Sequence, residues 1–207
     1  MIKDTFFTVE SEATGELKIL GSRFIGNASP VSEKEDAEEF IHSIIKKYYD
    51  ATHNPFAYKL INEQSEIIRT SDDKEPSGTA GKPILSVIEK QNLYNVAVAI
   101  TRYFGGKKLG KGRLMRAYRD CAEITLNNAK TIQKVLYKKV FLEFPYDKTG
   151  NIMKIITDLN GKINNQVYKD KYSLAVEIPI TLVEEFKNKI FDISGKSEIS
   201  IKLLKNL

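Results

Sequence analysis

The chain has 207 residues, 42% of them hydrophobic and 29% charged, with a formal net charge of +5 and a pI near 9.0, ordinary values for a globular protein of one or two domains. No run approaches the ~20 apolar residues of a membrane span, and acids in the opening MIKDTFFTVESE stand where a signal peptide would carry its apolar core. The single cysteine, Cys121, excludes an internal disulfide and fits a reducing, cytoplasmic setting.

In chain order, residues 6–10, 17–20 and 22–28 read as short strands broken by Gly15, Gly21 and Gly26. Ser32 followed by Glu35 is a capping-box pattern, with Glu33, Glu35 and Asp36 in the first helical turn. Phe40, Ile41, Ile44, Ile45 and Tyr48 recur at helical spacing and Lys46 and Lys47 sit near the end, which predicts an amphipathic helix of roughly four turns. His42 falls on its surface. His53 and Asn54 follow within THNPF, ahead of a strand at 57–62. A histidine here can act as a general acid or base, but no second His or Cys lies near enough in sequence for a metal set or dyad. Hydrogen bonding that orders the loop is the favoured role.

Two glycine-rich segments, 76–81 (PSGTAG) and 105–112, flank one short apolar run. Residues 94–101 read as the central strand, apolar nearly throughout as a strand covered on both faces should be. The two loops are expected to meet at its ends. Each leads into a helical pattern, 81–92 with Ile84, Leu85, Val87 and Ile88 facing the core, and 112–129 with Leu114, Tyr118, Cys121, Ala122, Thr125 and Ala129 as a buried stripe. Unpaired N–H groups at such helix starts favour an anion. Asp72, Asp73 and Glu75 precede the first loop. They could hold Mg²⁺ against a phosphate or cap the following helix through Asx turns. Capping is favoured, because GTAGKP lacks the Walker spacing.

The second loop is basic. Only six arginines occur in the chain, and Arg102, Arg113, Arg116 and Arg119 lie here with Lys107, Lys108 and Lys111, uninterrupted by Asp or Glu. Arginine presents a planar fork suited to phosphate and stacks on bases. Arg102 beside Tyr103 and Phe104 could engage unpaired bases, although both aromatics suit a core equally and core is the favoured reading for Phe104. Arg116 with Asp120, and Arg119 with Glu123, have the spacing of helix ion pairs.

The runs ATHNPFAY, SDDKEPSGTAGKPIL and TRYFGGKKLGKGRLMRAY closely resemble the IMPACT / YigZ family, in its bacterial two-domain form. That resemblance implies an N-terminal domain (1–134) of the ribosomal-protein and elongation-factor type with a left-handed βαβ crossover. It also implies a C-terminal ferredoxin-like domain (135–207) similar to the last domain of elongation factor G, and a translation-linked regulatory role. In eukaryotic relatives that role runs through an additional domain that binds the activator of an amino-acid-starvation kinase. Lys74 stands where the family usually has glycine, so a positive φ there would carry strain; Arg113 and Arg119 replace residues that are otherwise small.

Beyond a boundary near 133–136, the chain reads strand 138–145, helix 148–159, strands 162–168 and 171–179 joined by a tight Lys169-Asp170-Lys171 hairpin, helix 182–191 and strand 196–203. This βαββαβ order is the split-βαβ plan. The fold class is therefore α+β in two domains. The candidate anion or nucleic-acid site comprises Ser77, Gly78, Thr79, Gly81 and Lys82 of the first loop with Arg102, Tyr103, Gly105, Gly106, Lys107, Lys108, Lys111, Arg113, Arg116 and Arg119. His53, Asp72, Asp73 and Glu75 are supporting or metal-holding residues. The expected function is binding of RNA or a ribosomal surface without a cofactor or covalent chemistry. The alternatives are a Mg-dependent enzyme on a nucleotide or other phosphorylated small molecule, and a protein-interaction module.

Overall fold

The computed structural model describes residues 4–63, 65–168, 170–194 and 199–204, and the chain divides into two units, 6–134 and 135–207 with 1–5. The first contains, in order, β1 (Thr5–Val9), β2 (Ala13–Ile19), β3 (Ser22–Pro30), α1 (Lys34–Lys47), β4 (Phe56–Ile61), β5 (Glu66–Ser71), α2 (Gly81–Lys90), β6 (Val96–Tyr103), α3 (Lys111–Asn127) and β7 (Thr131–Val135). Five strands form one sheet, ordered β2-β3-β6-β4-β5, and β1 pairs with β7 apart from it. Every pairing in the five-stranded sheet is antiparallel. Because β3 and β4 both run against β6, they are parallel to each other and α1 is the crossover between them.

Strand β6 is central and covered on both faces, which explains its unbroken apolar run. Val96, Val98 and Ile100 pack in one core with Ile84, Val87 and Ile88 of α2 and Leu114, Tyr118 and Cys121 of α3. The intervening Ala97 and Ala99 pack with Ala37, Ile41 and Ile44 of α1 in the other. Full burial of one such Val or Ile side chain contributes about 1.5–3 kcal/mol. The cap of α1 sits one residue later than its predicted place: Asp36 Oδ2 accepts from Ser32 N at 2.9 Å and Glu33 N at 3.3 Å, so Glu33 is the N-cap. Gly15 and Gly26 do not break strands. They face each other in the β2–β3 register, and an added Cβ would meet Thr125 Oγ1 at 2.7 Å and 1.9 Å respectively. Their lack of a side chain is what lets α3 lie on the hairpin. Two strands went unread: β5, and β7, which occupies the predicted boundary.

The second unit runs β8 (Tyr137–Phe144), α4 (Thr149–Asp158), β9 (Lys162–Tyr168), β10 (Tyr172–Pro179), α5 (Val183–Ser194) and β11 (Ser200–Leu203). Its antiparallel sheet is ordered β11-β8-β10-β9, and Leu142, Phe144, Leu174 and Val176 pack with Ile152, Ile156, Phe186 and Ile190 of the helices. Tyr168 opposes Tyr172 across the predicted hairpin; Lys169, and 196–198 of the predicted last strand, lie outside the described residues. Among the described residues, no helix is long and apolar enough to cross a membrane.

Candidate nucleic-acid interface and the adjoining cleft

The THNPF segment docks by its backbone on the C-terminal end of β6: Arg102 N donates to His53 O at 2.8 Å and Thr52 N donates to Arg102 O at 3.0 Å. Asn54 N donates to Asp73 Oδ2 at 2.6 Å, and Asn54 Oδ1 accepts from Thr101 Oγ1 at 2.7 Å. His53 Nδ1 lies 2.8 Å from the Asp73 carbonyl. A carbonyl only accepts, so Nδ1 carries a proton and donates it to Asp73.

The first glycine-rich loop holds an anion that the chain itself supplies. Asp72 accepts from Gly78 N at 2.7 Å and from Ala80 N and Gly81 N, both at 2.9 Å. Burial pushes the Asp72 carboxyl up, but these three N–H groups and the nearby Lys82 outweigh it and hold the pKa below the usual aspartate value. Thr79 is fully buried and donates to Pro76 O. A Cβ at Gly81 would meet the Ser71 backbone at 2.8 Å, so this glycine serves packing against β5. Lys74 adopts φ +68°, the left-handed conformation its glycine-like position demands.

Glu75 belongs to a different cluster. Its carboxylate is 3% exposed, and Oε1 accepts from both Arg102 Nη1 and Tyr118 Oη at 2.6 Å, while Oε2 faces His53 Nε2 at 3.9 Å. Burial and the Glu75 hydrogen bond raise the Tyr118 hydroxyl pKa far above its ordinary value. The three acids thus address separate partners, and among the described residues no group of three or more His, Cys, Asp or Glu converges to hold a metal.

Arg102 is not part of the exposed basic surface. It is 5% exposed, held by Glu75, with its guanidinium 5.5 Å from the ring centroids of Phe24 and Phe104. Phe104 in turn is exposed, at 46%, rather than core. Tyr103 Oη donates to Asp50 at 2.8 Å. Gly105 abuts the Gly21 backbone, where a Cβ would lie 1.9 Å from carbon, while Gly106 and Gly110 take φ values of +81° and +75°.

The remaining cations lie at the surface. Lys82, Lys107, Lys108, Lys111, Arg113, Arg116 and Arg119 are all exposed. The predicted helix pairs do not form: Asp120 lies 3.7 Å from Arg119, and Glu123 takes Lys90 of α2 at 3.0 Å. Among the described residues, Lys82, Lys107, Lys108, Lys111, Arg113 and Arg116 have no ion-pair partner. A groove of about 380 Å³ between α2 and α3 is lined by Gly78, Lys82, Gly112, Met115, Arg116 and Arg119, so the two loops do come together. Helix α3 begins after Gly110 with no side-chain cap and no acid in its first turn, leaving its dipole and its cations opposed. A second cleft, of about 510 Å³, is bounded by His53, Lys74, Glu75, Arg102, Phe104 and Lys108 to Lys111. Sequence reasoning missed Tyr118 as a buried partner of Glu75, and Phe104 and Lys74 as parts of the second cleft. A tyrosine on an apolar stripe, whose hydroxyl must find a partner when buried, was the available signal for the first.

The Impact N-terminal domain profile matches residues 20–126. The IMPACT family member YvyE of Bacillus subtilis is 35% identical over 201 residues, spanning 94% of this chain and 90% of that protein. The family member YigZ of Escherichia coli is 32% identical over 181 residues, 87% and 89% respectively. Protein IMPACT of Mus musculus is 27% identical over 135 residues, 64% of this chain but 39% of its own. A crystal structure of a hypothetical protein superposes with a TM-score of 0.70 at 29% identity, covering 100% of this chain and 99% of that one. With the domain profile reaching from β3 into α3 and bacterial relatives aligned along most of its length, the chain belongs to the IMPACT family.

Proposed function

We propose that the protein binds RNA or a ribosomal surface through α3 and Lys82, and that it acts in translation or its regulation by occupancy in the cytoplasm. The observation that carries this reading is the set of exposed cations at Lys82, in the second loop and along α3 that have no ion-pair partner among the described residues. An acidic polymer would neutralise them and relieve the conflict with the α3 dipole. The strand order β11-β8-β10-β9 within a βαββαβ unit supports a ferredoxin-like second domain. The β3-α1-β4 crossover supports the ribosomal-protein and elongation-factor type for the first.

The test is binding of single-stranded RNA and of purified ribosomal subunits across a salt series, comparing the wild type with Arg113→Ala/Arg116→Ala/Arg119→Ala. If each arginine meets one phosphate, the log–log salt slope should shallow by roughly 2 to 3, at about 0.7–0.9 per phosphate. The reading fails if neither target binds, or if the variant keeps the wild-type slope. Salt-insensitive capture of a ribosomal protein would favour a protein-interaction module.

A further inference from the structure

The cleft at the C-terminal end of β6 has a polar floor that the chain leaves incomplete. His53 Nδ1–H is committed to the Asp73 carbonyl at 2.8 Å. Glu75 Oε1 already takes two hydrogen bonds, while Oε2 lies 3.9 Å from His53 Nε2, beyond hydrogen-bond reach. Arg102, 5% exposed and lining the same cleft, keeps an Nε–H without an acceptor. The cluster therefore lacks one donor and one acceptor, and a hydroxyl group is both.

The rim adds two further requirements. Lys108, Lys111 and the uncapped start of α3 favour a phosphate or similar oxyanion. Phe104 has one face against the Arg102 guanidinium and is 46% exposed, a platform on which a flat ring can stack. The volume of about 510 Å³ falls in the range that encloses one small ligand.

We propose that this cleft binds one ribonucleoside phosphate, free or as a residue of an RNA chain. A ribose hydroxyl donates to Glu75 Oε2 and accepts from Arg102 Nε–H beside His53, the base lies on Phe104, and the phosphate lies beside Lys108 and Lys111. The 2′-hydroxyl distinguishes this ligand from its DNA counterpart. The inference deepens the RNA reading and rests on it only where the ligand is a residue of a polymer.

The chain has two histidines, and His42 on α1 is exposed and remote from the cleft, which makes it an internal control. Imidazole ¹⁵N spectra of the full chain would be recorded during titration with 5′-AMP, 2′-deoxy-5′-AMP and inorganic phosphate. The expected result is a saturable shift at His53 Nε2 with 5′-AMP and none at His42. Binding of the deoxynucleotide should be weaker by on the order of ten-fold. Phe104→Leu, which keeps an apolar side chain beside Arg102 but removes the flat ring, should weaken 5′-AMP by a similar factor with an unchanged melting temperature.

No His53 shift, equal affinity for the two nucleotides, or a full response to inorganic phosphate alone would overturn the proposal. Parallel titrations with oligo(rA) and oligo(dA) separate the two readings. If 5′-AMP behaves as expected and neither oligomer binds, the cleft stands and the polymer reading falls. If both oligomers bind equally and 5′-AMP leaves His53 unmoved, the reverse holds.

Discussion

Glu75 Oε1 lies 2.6 Å from Arg102 Nη1 where neither side chain is more than 6% exposed. This ion pair joins the start of the first glycine-rich loop to the end of the central strand, and Tyr118 of α3 completes it from a third element. Removing one partner would leave an uncompensated buried charge, at a cost of about 3–5 kcal/mol. Arg102→Ala and Glu75→Ala should each lower the urea midpoint by that measure, while Glu75→Gln with Arg102→Met should cost less than either. An Arg102→Ala protein with an unchanged urea midpoint would mean that the buried pair adds nothing to the fold.

Asp72 gives a second test, with a defined pH sign. Its folded pKa is held below the ordinary aspartate value by three loop N–H groups despite burial. Between the folded and unfolded values the unfolded chain binds more protons, so this contribution is complete above about pH 5 and is lost as pH falls through the folded pKa. Asp72→Asn should cost about 2 kcal/mol at neutral pH and flatten the acid limb of stability against pH. An unchanged acid limb would mean the carboxylate is dispensable to the loop.

How much of this was legible follows from what each residue's neighbours are. The central strand and the five α-helices could be read because one-dimensional periodicity reports which face is buried. Strand β5 could not, since its residues are mostly half-exposed or exposed and carry no strong alternation. The burial of Arg102 was not legible because its position in a run of cations resembles that of Arg113, and only the fold reveals that Glu75, 27 residues away, lies against it. The self-filled loop at Asp72 was legible as one of two alternatives, since an acid before a glycine-rich helix start can cap it or hold a metal. His53, Glu75 and Lys108 could be named one by one but not as a single cleft, because they and Phe104 are brought together by three separate connections, α1–β4, β5–α2 and β6–α3.

Cys121 supplies a prediction in the alkaline range. Burial, only partly offset by hydrogen bonding to Thr125 and the Gly26 backbone, pushes its thiol up to about 12. The folded pKa lies above the unfolded one, so the stabilising contribution is full below about pH 8.5 and declines as pH rises toward 12. At pH 8 the native thiol should react with a disulfide reagent only as fast as the protein opens, and denaturant should release the full rate. Prompt native labelling would place Cys121 nearer the surface than its 0% exposure.

Two glycines of the second loop should respond oppositely to the same methyl group. A Cβ at Gly105 would stand 1.9 Å from Gly21 C and 2.2 Å from Gly21 O, and both are backbone atoms that cannot swing aside. Gly105→Ala should therefore destabilise by about 3 kcal/mol or more, since overpacking here must separate the β2–β3 turn from the end of β6. At Gly112, in the first turn of α3, nothing lies within 4 Å of the added Cβ. There Gly112→Ala should stabilise by about 0.5–1 kcal/mol through helix propensity. The pair also reports on the ligand, because Gly112 lines the groove with Arg116 and Arg119. A stabilised Gly112→Ala protein that bound RNA more weakly would show that a bound chain approaches the α3 backbone at that turn, whereas unchanged affinity would confine the contact to the arginine side chains.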